Sequence, residues 1–300
     1  MTASPLIAGI ELGGTKVVCL LARGPQEVIR ETRIDTATAD ATLAAVAREL
    51  ADMHREHGFQ AIGLAGFGPL DLDPASPSHG RVVGTPKPGW EGADLLSLAR
   101  GFAVPVGLDT DVAGAALAEA RWGAAQGLSN FAYITVGTGV GVAAVVAGRP
   151  VRGLGHGEAG HLRVARRPGD QFPGVCRFHG DCVEGLASGP AIAARAGAAA
   201  ETLAPDHPAW DGVVQALAGL CHNLIYTVAP QRILVGGGVA MGQPHLLPGL
   251  RRAVIDSLAG YGVADRIERE IETYLVHPAL GARAGPLGAV ALGLDALAAS

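Results

Sequence analysis

Apolar and polar positions fall in short blocks along this chain, and glycine-rich turns separate the blocks. Leu6–Leu12 is an apolar run that stops at Gly13-Gly14, and Lys16–Ala22 resumes it at once. Two β-type runs around a glycine turn predict a hairpin. Glu27–Ile34 reads as a third strand. Thr38–His57 carries Leu43, Val46, Ala47, Leu50 and Met53 at helical spacing, which predicts an amphipathic helix. Ala61–Phe67 predicts a strand, Pro69–Trp90 a long loop rich in Pro, Gly and Ser, Val104–Leu108 a strand, and Asp111–Ala124 an Ala-rich helix. Phe131–Val136 and Val140–Val146 then bracket Gly137-Thr138-Gly139, repeating the hairpin logic of the N-terminus. His156–Glu184 reads as irregular. Gly212–Val228 predicts a helix, Ile233–Val235 a strand, Gly236-Gly237-Gly238 a turn and Ala284–Ala299 a last helix.

The order strand, glycine turn, strand, strand, helix, strand thus occurs twice. Duplication of such a unit predicts an α/β protein of two similar lobes with a cleft between them. The second hairpin sets the boundary near residue 112. Residues 1–112, joined by 285–300, form the expected N-terminal small lobe, and 113–284 the larger C-terminal lobe.

Composition adds exclusions. With 49% hydrophobic and 17% charged residues among 300, the chain can bury a large core. Its net charge is −5 and it has no Lys/Arg block, so nucleic acid is not an expected partner. No apolar run is long enough to span a bilayer and MTASPLIAGIEL lacks a signal-peptide pattern, so no membrane partner is expected and the cytoplasm is the expected compartment. Four cysteines are too few for a disulfide scaffold.

The chemistry-bearing residues lie at the turns. Glu11-Leu12-Gly13-Gly14-Thr15-Lys16 closes a strand with an acid and follows it with a Gly-Gly turn and a hydroxyl. Glycine lets backbone N–H groups approach an anion, and the carboxylate could hold a metal through water. A tight hairpin with no ligand has the same pattern. Gly137-Thr138-Gly139-Val140-Gly141 is a second such turn; it lies between strands, whereas the dinucleotide fingerprint opens a helix. Asp109-Thr110-Asp111 stands between a strand and a helix. One acid there can cap the helix while the other takes a proton from a substrate hydroxyl. Cys176, His179 and Cys182 fall within seven residues, with His161 upstream. Four such donors on a loop match a structural tetrahedral zinc site, against the alternative of free thiols and surface histidines. Cys19 and Cys221 read as buried core thiols. Lys87, between Pro86 and Pro88, is either an orienting cation of the long loop or a surface lysine.

Taken in order, these motifs resemble the ROK sugar kinases (repressors, open reading frames and kinases) over nearly the whole chain. Glu11–Lys16 is similar to the family's first phosphate motif, Gly137–Gly141 to its second, and Gly236-Gly237-Gly238 to its adenosine-side loop. Asp111 stands at the catalytic Asp. Gly157-Glu158-Ala159-Gly160-His161 resembles the sugar-and-zinc motif, and Cys176–Glu184 the zinc loop with its following sugar-binding Glu. The likeness is sharpest to the bacterial fructokinase branch, through Phe67–Leu72, Thr85–Trp90, Thr110-Asp111-Val112 and Cys176–Cys182. Two positions depart from the family: Glu11 replaces the commoner Asp, and Ala113 replaces an Asn that contacts the sugar in relatives.

The resemblance implies an actin-like, ribonuclease H-like fold of two lobes with an interlobe active-site cleft. It implies ATP-dependent phosphorylation of a free hexose, D-fructose to fructose 6-phosphate, with Asp111 as general base. ATP and Mg²⁺ would lie on Glu11, Gly13, Gly14, Thr15, Lys16, Gly137, Thr138, Gly139 and Gly236–Gly238. Thr110, Glu158, His161 and Glu184 would contact the sugar, and His161, Cys176, His179 and Cys182 would hold structural Zn²⁺. A homodimer is the implied assembly. The alternatives are another hexose (glucose, mannose or an N-acylmannosamine) or a non-catalytic sugar sensor.

Overall fold

The computed structural model describes residues 4–300. The first half runs β1 (Ile7–Leu12), β2 (Lys16–Gly24), β3 (Glu27–Asp35), α1 (Ala39–His57), β4 (Ala61–Gly66), β5 (Val106–Thr110) and α2 (Asp111–Trp122). The strands β6 (Phe131–Val136), β7 (Val140–Val146) and β8 (Arg149–Pro150) follow, then α3 (Val183–Ala187), α4 (Gly189–Ala196), α5 (Ala209–Val228), β9 (Ile233–Gly236) and α6 (Gly238–Gly242). The chain ends with α7 (Leu246–Leu258), α8 (Ala264–Arg269), α9 (Ile271–Tyr274), β10 (Leu275–Val276) and α10 (Ala284–Ala298).

Packing divides these elements into two units. One comprises the described residues up to Gln126 with Arg152–His156 and Arg283–Ser300; the other comprises Gly127–Val151 and Gly157–Ala282. The boundary therefore differs from the one expected at 112. The helix α2 packs on α10 and stays with the first unit, so the division follows that helix instead of preceding it. The short segment Arg152–His156 also groups with the first unit, through contacts that no local pattern announces.

Each unit holds a five-stranded sheet, ordered β3-β2-β1-β4-β5 in one and β8-β7-β6-β9-β10 in the other. Both have two antiparallel pairs followed by two parallel ones. The duplicated order read from the sequence is thus a duplicated topology, strand for strand. In the first unit β1 and β4 are almost continuously apolar and buried, as strands covered on both faces must be. β3 is the edge and carries Glu27, Arg30, Glu31 and Arg33, charges that discourage pairing with another edge.

The helices form for local reasons that the sequence shows only in part. The Thr38 hydroxyl accepts the Ala41 N–H and starts α1. Val46, Leu50 and Met53 are buried as the spacing requires, but Ala47 is exposed, and Glu49 is buried instead. Arg30 Nε lies 2.7 Å from a Glu49 carboxylate oxygen, which lets the acid be buried. α10 is apolar on all sides from Ala284 to Leu294, before the exposed Asp295, and crosses β1, β4 and β5. Its approach is so close that a Cβ added to Gly63 would lie 1.7 Å from the Ala289 carbonyl oxygen. Helices α3, α4, α7, α8 and α9 lie where the sequence pattern is irregular or predicts no element.

Candidate active site and metal centre

In the first unit, strand register brings the chemistry to one edge. Leu12 pairs with Gly66, and Gly66 with Thr110; one step back, Glu11, Ala65 and Asp109 share a row. The C-terminal ends of three parallel strands therefore lie side by side, the usual position of ligands in open α/β sheets. The Gly13 N–H donates to the Lys16 carbonyl at 2.9 Å and closes the first glycine turn. The Thr36 hydroxyl donates to the Gly13 carbonyl at 2.9 Å and steadies it. Gly14 and Thr15 are exposed at the tip.

Glu11 is enclosed by α10: a Cβ on Gly285 would lie 1.9 Å from a Glu11 carboxylate oxygen. Burial, reinforced by the charge of Asp111 and opposed by Lys16, pushes the Glu11 carboxyl up to about 7. The mutual charge effect of Glu11 and Asp111 in a partly buried place is one that a cation would relieve.

Asp111 is the first residue of α2, and its Oδ1 accepts the Val112 N–H at 2.7 Å. The helix cap is neither aspartate. It is Thr110, whose hydroxyl oxygen accepts the Ala113 N–H at 3.2 Å. Thr110 retains a hydroxyl proton to donate. Ala113 is buried, with only its amide engaged in the cap. Asp109 is 1% exposed and is neutralised by the Arg152 guanidinium, while its Oδ1 accepts the Thr110 N–H at 2.7 Å. Capping and burial thus occupy the two residues that precede Asp111.

Arg152 and His156 were not anticipated. Nε2 of His156 accepts the Leu70 N–H at 3.0 Å, fixing the loop that leaves β4. Neither residue lies in a pattern that would have exposed its role, because each acts on an element more than forty residues away. The Nζ of Lys87 donates to the Gly14 carbonyl at 2.6 Å and lies 5.8 Å from the Phe67 ring and 6.0 Å from the Trp90 ring.

In the second unit, Gly137–Gly141 and Gly236–Gly238 leave the paired strands β6 and β9 at the same end, since Thr135 faces Gly236. Gly237 has φ +88°, and a Cβ there would lie 2.5 Å from the Val136 backbone, so only glycine fits. Glu184, on α3, reaches back to the second turn: its Oε2 accepts the Val140 N–H at 3.1 Å. The Gly189 N–H donates to the Gly137 carbonyl at 2.7 Å. Glu158 is exposed and precedes a one-turn 3-10 helix, Ala159–His161. That turn presses on β7; a Cβ on Gly160 would lie 1.7 Å from the Val140 carbonyl oxygen.

His161, Cys176, His179 and Cys182 come together, their donor atoms all within 4.8 Å of one another. His161 Nδ1 lies 3.4 Å from Cys182 Sγ and 3.7 Å from Cys176 Sγ, which is also 3.7 Å from His179 Nδ1. A tetrahedral zinc with ordinary bond lengths sets nitrogen–sulfur edges of about 3.5 Å, so the donor set and its spacing fit that ion. Reciprocal bonds between Cys176 and Gly180, at 3.1 and 2.8 Å, shape the knuckle. Burial pushes the Cys182 thiol up to about 11, opposed by the Gly185 N–H and reinforced by Cys176. Binding a cation here must therefore release protons. Because Nδ1 of His161 faces the thiols, its Nε2 points elsewhere.

The sequence profile of the ROK family matches residues 7–296. A protein of Bacillus subtilis (strain 168) described as a putative fructokinase is 38% identical over 98% of this chain and 97% of its own length. A fructokinase of Pediococcus pentosaceus is 37% identical over 97% and 99%. Among solved structures, a ROK hexokinase from Thermus thermophilus superposes with a TM-score of 0.78 at 29% identity, covering 98% of this chain and all of that one. The duplicated sheets and this superposition give the actin-like sugar kinase fold.

Proposed function

The chain belongs to the ROK family, and on that premise we propose that it is an ATP-dependent hexose kinase converting D-fructose to fructose 6-phosphate. The observation that carries the reading is the strand-end row of Glu11, Ala65 and Asp109, which brings Asp111, at the start of the next helix, close enough to act on the Glu11 charge beside the Gly13-Gly14 turn. An acid that can take a proton and a turn that can receive phosphate lie at one edge of one sheet.

Asp111 accepts the proton of the sugar hydroxyl, O6, as that oxygen attacks the γ-phosphorus of ATP. Its neighbours are already committed, Thr110 to the cap and Asp109 to Arg152, which fixes the backbone that presents it. The exposed N–H groups of Gly14 and Thr15, with those of Gly137–Gly139 and Gly236–Gly238, are the expected phosphate and nucleotide contacts. Glu11 would hold Mg²⁺ through water; bound there, the ion supplies charge neutralisation to the phosphates. Thr110, Glu158, Glu184 and Nε2 of His161 are the proposed sugar contacts, on the strength of the motifs. Zn²⁺ in the His161, Cys176, His179, Cys182 set would order the knuckle and, through α3, the residue Glu184. A homodimer is the proposed assembly, to be read from sedimentation equilibrium.

A coupled ADP assay over a panel of hexoses, with product analysis, tests the reading. Fructose is expected to give the highest kcat/KM and phosphate on O6. Asp111→Ala is expected to remove turnover and leave a folded, metal-binding protein. Near-normal turnover by Asp111→Ala overturns the base assignment, and preference for another hexose overturns the substrate.

A further inference from the structure

Lys87 is held in a way that its fold does not require. Its loop is built without it: the Glu91 carboxylate accepts the N–H groups of Gly84 and Thr85, each at 3.1 Å, and the buried Trp90 donates from Nε1 to the Ala37 carbonyl at 3.0 Å. The ammonium then reaches to the tip of the first glycine turn, where its bonded partner is the neutral Gly14 carbonyl. Among the described residues it makes no ion pair. Two aromatic faces, Phe67 and Trp90, back it, stacked edge to face with centroids 4.8 Å apart. An ammonium has three N–H donors, and one is used.

The surrounding charges make this placement informative. Glu11 and Asp111 are acids at the same strand-end edge. Arg152, the guanidinium that approaches this edge, is committed to Asp109. A dissociating γ-phosphoryl spreads its charge over three oxygens and needs donors fixed in advance. Lys87 is a cation with donors to spare, oriented by a carbonyl and two rings beside the turn where those oxygens arrive.

We propose that Lys87 is a catalytic residue of the phosphoryl transfer, its ammonium donating to the γ-phosphoryl oxygens while remaining on the Gly14 carbonyl. The proposal rests on the kinase reading above. In the step, the bond between the γ-phosphorus and the ADP oxygen breaks, the bond to the sugar oxygen forms, and the hydroxyl proton passes to Asp111. Lys87 keeps its proton throughout and supplies charge alone.

The test compares Lys87→Met, Lys87→Arg and Lys87→Ala with the wild type. Loss of one fixed donor to a transition-state oxyanion predicts that Lys87→Met lowers kcat about 100-fold, with the sugar KM close to wild type. Calorimetric affinity for ADP is expected to hold, whereas affinity for ADP with aluminium fluoride, in the presence of fructose, falls at least tenfold, roughly the weight of one charged contact. Propylammonium, which restores the missing atoms, is expected to raise kcat of Lys87→Ala with saturation; a purely structural lysine would not respond. Should Lys87→Met fail to fold, Lys87→Arg carries the test, with a kcat between wild type and Lys87→Ala. Retained kcat in Lys87→Met, or equal losses for ADP and its aluminium fluoride complex, overturns the proposal and leaves Lys87 as a loop tie. If the wild type releases no ADP with any sugar, the kinase reading fails and takes this assignment with it; an active wild type with an unaffected Lys87→Met refutes this assignment alone.

Discussion

Glu184 offers a prediction that separates two roles. The motif gives it a sugar contact, whereas the structure places its Oε2 on the Val140 N–H, at 3.1 Å, where it closes the second glycine turn. Glu184→Ala leaves that partly buried N–H without its carboxylate. A hydrogen bond to a charged group contributes about 1.5–3 kcal/mol, and a neutral one about 1 kcal/mol. If the turn holds phosphate, about 2 kcal/mol spent on reordering it corresponds to a KM for ATP roughly 30-fold higher. Glu184→Gln keeps an acceptor and loses about 1 kcal/mol, or roughly fivefold. The same turn can be disturbed from its other side: a Cβ on Gly139 would lie 2.6 Å from Glu184 Oε2, so Gly139→Ala displaces the carboxylate. Gly139→Ala and Glu184→Ala should therefore be non-additive in a double-mutant cycle. The assay is steady-state kinetics with ATP and fructose varied in turn. A raised sugar KM with an unchanged ATP KM in all three variants would refute the reasoning and return Glu184 to the sugar alone.

Three other outcomes are expected. Purified protein should contain about one zinc per chain, and Cys182→Ser should lose it and lower the unfolding midpoint; full metal-free stability in calorimetry would count against the site. Gly63→Ala should destabilise the first unit by about 1–3 kcal/mol or more, because a methyl has no room against the Ala289 carbonyl; an unchanged midpoint in urea would contradict the packing. Asp170 is bonded by Arg195 at 2.9 Å, which, with Arg166 and the Phe172 N–H, holds its carboxyl well below the usual range. Its stabilising contribution is therefore present above the ordinary carboxylate pKa and fades as pH falls toward the depressed value. The urea-stability gap between wild type and Asp170→Asn should be wide at pH 7 and narrow as pH drops below 4, about the ordinary Asp pKa; a gap that does not change with pH would rule this out.

Local chemistry made much of this molecule legible from sequence. Leu6–Leu12 and Lys16–Ala22 read as a hairpin around Gly13-Gly14, and the second hairpin repeats the first, so the duplication is legible in the sequence. The knuckle donors were legible because three of the four fall within seven residues. The helices α4 and α7 were harder. Gly189–Ala196 is too short and too rich in Ala to show a face, and Leu246–Leu258 has a regular apolar face but no side-chain cap to mark its start.

What remained hidden depends on residues distant in the chain. Sequence determined that Asp111 starts a helix after a strand and that Glu11 precedes a glycine turn. It did not determine that their charges act on each other; the parallel register of β1, β4 and β5 sets Glu11 level with Asp109 and so brings Asp111 near. It did not assign the cap to Thr110, since Asp109 is the equally suitable residue until Arg152 claims it. It left Lys87 between a surface role and an orienting one, and only the tertiary structure shows its Nζ on the Gly14 carbonyl at 2.6 Å, seventy-three residues away. The physical reason is common to all three. Propensity and turn chemistry act over a few residues and are written in the local sequence. Burial, charge partnership and the raised Glu11 carboxyl depend on which distant segment arrives, and packing alone chooses that segment.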